Sequence, residues 1–162
     1  NKLRRPWNLT NVPVYSLVTI DYKLDLNMNI CTYVTPISIK PKKYLIAIDK
    51  QTKTFENILN GKNKYALQLL SKKNISIVKH LGKKSGHKFN KYDYLKRKKL
   101  IKNYRDVEIL NDVSCVLFLS YENQIKTNND HDLFLFNVSG FKTFSNTDIL
   151  YFNDLVNKKI IL

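Results

Sequence analysis

Three short stretches of the chain carry residue types that could hold a phosphorylated, planar cofactor. In NICTYVTPIS (29–38) a strand-like run leads into an X-Pro step, Thr32, Thr35 and Ser38 offer hydroxyls, and the irregularity expected before Pro36 leaves backbone amides unpaired. Unpaired amides suit the edge of an electron-accepting ring, which gains negative charge on reduction. In DKQTKTFENI (49–58), Lys50, Thr52, Lys53 and Thr54 stand at the start of an expected helix. Free N–H groups, hydroxyls and a cation at that point make a phosphate site by electrostatics. In LGKKSGHKF (81–89), two glycines allow close backbone approach while Lys83, Lys84, Ser85 and Lys88 supply donors. Each stretch alone has a plainer reading: strand-forming Thr and Ser, a helix cap, and a surface turn.

Side chains by themselves offer less. The three histidines, His80, His87 and His131, sit in no metal-ligand spacing and beside no nucleophile elbow. Neither common Gly-rich phosphate loop occurs. The sequence therefore points away from metal chemistry and self-contained hydrolysis, and an enzyme would need a cofactor that brings its own reactivity.

The elements that must position these stretches are mostly strands. Apolar, β-branched and aromatic runs recur at 12–20, 28–37, 43–49, 64–70, 112–121, 133–141 and 148–152, which predicts six or seven strands. Two helices are expected. One covers 52–61, with Thr at its start and Gly61 at its end; the other covers 71–82, with Ser71 as N-cap and Gly82 as stop. The class is a mainly β barrel or sandwich with small helical inserts. No repeat or Gly/Ser linker divides the 162 residues, so one domain over 1–162 is expected, with ample apolar residues (43%) for a core. No apolar run reaches the roughly 18 to 20 residues that span a bilayer, which predicts a soluble, cytoplasmic protein. Cys31 and Cys115 read as two buried thiols in a reducing compartment.

A net charge of +15, from 28 Lys+Arg against 13 Asp+Glu, ordinarily suggests a polyanionic partner. Its densest cluster is 79–105, where KYDYLKRKKLIKNYR interleaves tyrosines with cations. One reading is a nucleic-acid surface; the plainer one is a solvated loop or short helix with Leu100, Ile101 and Tyr104 facing inward at helical spacing. Lys is abundant throughout the chain, which favours the plainer one.

The order MNICTYVTPISIKPKKYLIAIDKQTKTFENI, YALQLLSKKNISIVKHLGKKSGHKF, DHDLFLFNV resembles the flavin reductase-like family, the FMN-binding split-barrel proteins, over about residues 12–152. Within it the chain is most similar to the flavin reductase/flavoredoxin-like branch, with its MN-x-x-TYVSP-S and LGK-x-SG-x-K patterns. Asp130, His131 and Val138 match a later D-H-x-x-x-x-x-x-V strand. The chain departs from the pattern at Phe136, where many relatives carry Gly, and in the basic segment 92–107, which has no clear counterpart.

The resemblance implies a Greek-key FMN-binding split β-barrel of six to seven strands with two or three short helices, and FMN in a groove at a homodimer interface. Carried onto this sequence, Asn29, Cys31, Thr32, Tyr33, Val34 and Thr35 would line the ring and ribityl chain. Asp49, Lys50, Thr52 and Thr54 would reach the ribityl and phosphate, and Lys83, Ser85, Gly86 and Lys88 would close over them. His131 would stand on the nicotinamide side as the catalytic candidate. The implied activity is hydride transfer from NADH or NADPH to the flavin and onward to an acceptor, with an electron-acceptor protein as a further partner. Alternatives are a flavoredoxin-like electron carrier, a split-barrel protein acting on pyridoxine phosphate, and, from another class, a basic β-barrel that binds nucleic acid.

Overall fold

The computed structural model describes residues 2–161; Asn1 and Leu162, the ends of the range expected for the single domain, lie outside the described residues. Nine strands are present among them: β1 (Tyr15–Ile20), β2 (Leu26–Met28), β3 (Val34–Ser38), β4 (Lys43–Asp49), β5 (Tyr65–Leu69), β6 (Ile101–Tyr104), β7 (Val107–Leu110), β8 (Cys115–Ile125) and β9 (His131–Thr143). Four short α-helices accompany them: α1 (Lys53–Asn60), α2 (Val78–Gly82), α3 (Lys91–Arg97) and α4 (Phe152–Asn157). Seven strands form one antiparallel sheet in the order β2-β1-β5-β8-β9-β4-β3, and β6 and β7 form a separate ribbon. The class is mainly β, as the run of short apolar segments predicts.

The connection between the two edge strands dictates the shape of the sheet. Laid flat, seven strands at about 4.8 Å spacing put β2 and β3 about 29 Å apart. Only residues 29–33 join them, and the six Cα steps from Met28 to Val34 reach at most about 20 Å. The sheet therefore has to curl until its edges approach one another. The crossing segment is pinned on both sides of the resulting seam: Cys31 and Tyr15 exchange two backbone hydrogen bonds (2.8 and 2.9 Å), and Ala47 N–H donates to the carbonyl of Tyr33 (3.0 Å).

Alternation along the strands feeds two cores. Leu17, Ile46, Ile48, Tyr65, Leu67, Leu119, Phe134 and Phe136 pack on the inner side of the curl. Val18, Met28, Ala66 and Val116 face outward, under a layer that includes Leu81 of α2, Leu95 of α3, Leu110 of β7 and Leu155 of α4. Gln68, fully buried, accepts from the Leu110 amide (2.7 Å) and so ties the ribbon to the sheet.

The helix signals are realised locally. Thr52 caps α1, its hydroxyl accepting from Phe55 N–H (3.2 Å), and the Gly61 amide closes the last turn onto Asn57 O. The stretch expected as one helix over 71–82 is a 3-10 helix (Lys72–Ile77) running into α2; Ser71 caps it reciprocally with Asn74.

Other expectations change. Residues 148–152 form no strand but two isolated bridges, Ser71 to Ile149 and Pro13 to Tyr151. Helical spacing suggested by Leu100, Ile101 and Tyr104 is not realised: α3 stops at Arg97, and Ile101–Tyr104 is β6, turned into β7 through Arg105 and Asp106 at φ of 50° and 63°. Of the two thiols expected to be buried, Cys115 is only half-buried.

Phe134 is fully buried and meets Phe55 of α1 edge-on at 5.7 Å, so it couples the helix to the barrel interior. Phe134→Ala is expected to lower unfolding free energy by about 3–5 kcal/mol in urea titrations. Thr52→Ala removes the cap and should cost about 1 kcal/mol in the same assay.

Candidate functional site

A cleft of about 450 Å³ opens along the seam. That size lies within the range of about 300–1,000 Å³ usual for small-ligand sites. Its floor is the crossing segment 29–33. One wall is the end of β4 and the first turn of α1, with Ala47, Asp49, Gln51, Thr52, Lys53 and Thr54. The opposite wall is the end of α2 and the loop after it, with Leu81, Gly82, Lys83, Lys84, Ser85 and Gly86. His131 enters from the start of β9, in register with Asp49, and Lys91 enters from the start of α3.

The backbone supplies donors. Thr32 and Tyr33 N–H groups have no acceptor among the described residues, because the segment crosses between sheet edges rather than along one. The Lys53 and Thr54 amides also lack one, since the Thr52 cap satisfies Phe55 and Glu56 and leaves the first two donors of α1 free. The irregular backbone thus falls at 29–33. Pro36, before which it was expected, sits inside β3, where the register shifts between Pro36 and Ser38.

Four lysines (Lys53, Lys83, Lys84 and Lys91) line the cleft against one carboxylate, Asp49, which is occupied by the Gln51 amide (2.9 Å). The field there favours an anion. Lys91 is the unusual member, only 6% exposed. Its Nζ donates to Met28 O (3.0 Å) and Leu81 O (2.7 Å), and burial pushes its ammonium down to about 8. At the other end His131 Nδ1 lies 3.0 Å from Asp130 Oδ1, a contact that holds the Asp130 carboxyl below its ordinary range, and the imidazole sits 5.6 Å from the Tyr33 ring. Burial pushes the Cys31 thiol up to about 12, so it enters the cleft wall as a neutral group and not as a thiolate.

The loop closing the cleft rests on α1. His87 Nδ1 is 3.4 Å from Glu56 Oε2, and Gly86 packs so tightly that an added Cβ would lie 2.5 Å from Asn27 Oδ1 and 2.8 Å from Lys53 Cβ. Asn27 in turn donates to Thr54 Oγ1 (3.3 Å).

Of the residues expected at a site, Asn29, Cys31, Thr32, Tyr33, Asp49, Thr52, Thr54, Lys83, Ser85, Gly86 and His131 line this one cleft. Val34 and Thr35 lie on β3 outside it. Lys50 is turned away, donating to Thr127 O (2.6 Å) beside Asp132 (3.5 Å). Lys88 lines a smaller neighbouring cavity of about 230 Å³. Lys91 and Asn27 were not anticipated. The signal for Lys91 was its place four residues before Leu95, on the same buried stripe of α3.

The tyrosines of the basic segment are engaged within the fold. Lys96 Nζ lies 4.1 Å from the Tyr92 ring, Arg105 stacks on Tyr104 and Phe118, and Tyr94 stacks on His80. Among the described residues no cluster of three His, Cys, Asp or Glu could hold a metal, and no helix is long and apolar enough to cross a membrane.

Comparison with known proteins agrees with this architecture. Among solved structures, the NADH:FAD oxidoreductase of Streptomyces globisporus superposes with a TM-score of 0.77 at 12% identity, covering 94% of this chain and 92% of that one. The styrene monooxygenase flavin reductase of Pseudomonas putida gives 0.75 at 15%, covering 90% and 88%. An FMN-binding protein of Thermus thermophilus gives 0.73 at 17%, covering 88% and 76%. At such identities the likeness establishes the fold. No curated protein matches the chain by sequence. The family model of the flavin reductase like domain matches residues 8–158, nearly the whole chain, and the protein belongs to that family.

Proposed function

We propose that the seam cleft binds FMN and that the protein is a flavin reductase-type oxidoreductase, working as one domain and as a homodimer. The observation that carries the reading is the convergence on one cleft of three segments distant in sequence: the backbone of 29–33, the start of α1, and the loop at 82–86. The two ends of the cleft differ as a phosphorylated flavin requires. The free Lys53 and Thr54 amides, with the surrounding lysines, suit a phosphate. The Thr32 and Tyr33 amides suit the ring edge where negative charge develops on reduction. Bound FMN would supply the redox chemistry, taking hydride from NADH or NADPH and giving electrons to an acceptor.

The chain's own residues have separable tasks. Thr52 fixes the first turn of α1 so that its free amides face the cleft, and Ser85 holds the closing loop by accepting from His87 N–H (3.2 Å) while its carbonyl takes the Lys88 and Phe89 amides. His131, oriented by Asp130 and tilted against the ring of exposed Tyr33, borders the open side where a nicotinamide would approach. The edge strand β3, which carries exposed Ile37, and exposed Ile39 just after it offer the apolar surface a second subunit would cover.

Purified protein is expected to quench FMN fluorescence on binding, and anaerobic NADH or NADPH should bleach the bound flavin. Absence of flavin binding sinks the proposal, while binding without nicotinamide oxidation favours the electron-carrier alternative. His131→Ala should slow nicotinamide-dependent reduction by about tenfold or more while leaving FMN affinity within about twofold, the pattern of a group that contacts the reductant rather than the flavin. Gly86→Ala should weaken FMN binding by about tenfold, because the added Cβ forces the closing loop off Asn27 and Lys53.

A further inference from the structure

Lys91 is a cation in want of an anion. An ammonium has three donors, and two are spent on the Met28 and Leu81 carbonyls. Among the described residues none of its carboxylate neighbours forms an ion pair with it. Asp21, in the turn before β2, lies 3.9 Å from Lys53; Glu56 of α1 is shared by Lys53 (3.5 Å) and His87 (3.4 Å); Asp93 of α3 is beside Lys96 (4.0 Å). Asp25 lines the smaller cavity with Lys91 but makes no ion pair, and the other charged groups nearby, Lys53, Lys83, Lys84 and Lys88, add positive charge. Tyr92 is bonded to Glu108, while Asp49 and His131 stand at other points of the wall.

The position of the side chain identifies which part of a ligand it would meet. Asn27, Lys53, Gly86 and Lys91 line both the cleft and the smaller cavity, so they form the neck between the two. That neck adjoins the first turn of α1, through the Asn27 to Thr54 hydrogen bond. It is the end assigned above to the phosphate, away from His131 and Tyr33.

We propose that Lys91 supplies the counter-charge for the phosphate of the bound mononucleotide, and that filling the cleft at alkaline pH draws a proton from solvent onto its amine. The inference rests on the reading of the cleft as an FMN site. In the empty protein the ammonium is held only by two carbonyl dipoles in a poorly solvated position, which agrees with its lowered proton affinity. A phosphate monoester is dianionic above about pH 7, and its charge at the neck restores the protonated form. The sign follows by linkage. Between about 8 and the ordinary lysine value of 10.5 the unfolded chain holds more protons than the empty fold, so raising pH through that window stabilises the empty fold. Phosphate reverses this by holding the proton, so FMN affinity falls with pH over the same window, by up to about tenfold per unit.

Calorimetric titration of the full chain with FMN at about pH 8.5, in two buffers of different ionisation enthalpy, reads the proton directly. Wild type should take up most of one proton per FMN and none with riboflavin, which lacks the phosphate. Lys91→Met should bind FMN about tenfold or more weakly, without uptake, and bind riboflavin as wild type does. Lys91→Arg, charged at every pH, should bind FMN without uptake. FMN binding with no uptake in wild type, or the same uptake in Lys91→Met, overturns the role of Lys91 and leaves the flavin site standing. Failure of both FMN and riboflavin to bind overturns the flavin site and the inference together.

Discussion

A five-residue crossing between the two edges of a seven-stranded sheet is the constraint from which the rest of the molecule follows. Because residues 29–33 are too few to span a flat sheet, the sheet curls and its edges meet at a seam. Backbone that crosses a seam runs across the strands and not along them, so it can pair only at isolated points: Asn29 with Leu17, Cys31 with Tyr15, and Tyr33 with Ala47. The donors left over have nowhere to go within the fold. A polar backbone group without a partner stays satisfied only by water or by a ligand, and a cleft forms where the chain cannot seal itself. The site is thus a consequence of closure.

The charges of the cleft obey a similar logic. A net charge of +15 spread over a Lys-rich chain identifies no partner by itself. Four lysines converging on free helix amides with a single, already occupied carboxylate in the cleft is a different matter: Lys53 is offset by Asp21 and Glu56, but Lys83, Lys84 and Lys91 have no carboxylate partner among the described residues. Lys91 makes the imbalance most costly. Its burial disfavours the charged form, and packing Met28 and Leu81 carbonyls against it recovers only part of the lost hydration. Strain of this kind is kept where binding relieves it.

What could be read in the sequence was what local rules decide. Thr52 and Gly61 bracket α1 because caps act through the residue's own neighbours, and β-branched and aromatic runs give β1, β4, β5, β8 and β9 because a pleated, half-buried surface selects them. The β6–β7 ribbon escaped notice because its turn uses Arg105 and Asp106 at positive φ, where the usual hairpin signal is a glycine. The strand-like composition of 148–152 answers to bridges with Ser71 and Pro13, which are long-range and invisible locally. Eleven of the fifteen residues carried over from the family pattern line the cleft. Lys50 does not, because Asp132, distant in sequence, competes for its ammonium. Nothing local marks the loss of Lys50, whereas Lys91 carries one local signal, its place four residues before Leu95.

The two departures from the family pattern end up in different compartments. Phe136, bulky where many relatives have glycine, is fully buried, with Tyr65 edge-on at 5.1 Å and Phe134 close by. Its volume is absorbed by the inner core, which aromatic side chains fill, and it does not border the cleft. The basic segment divides instead: its cations and tyrosines stack on one another at the surface, while α3, on which it begins, anchors itself through Leu95. Burying Leu95 on β2 places the residue one turn earlier, Lys91, beneath the seam. A stretch whose composition suggested an outer polyanion therefore reaches the cleft from within, through the one lysine of its helix that packing withdraws from water.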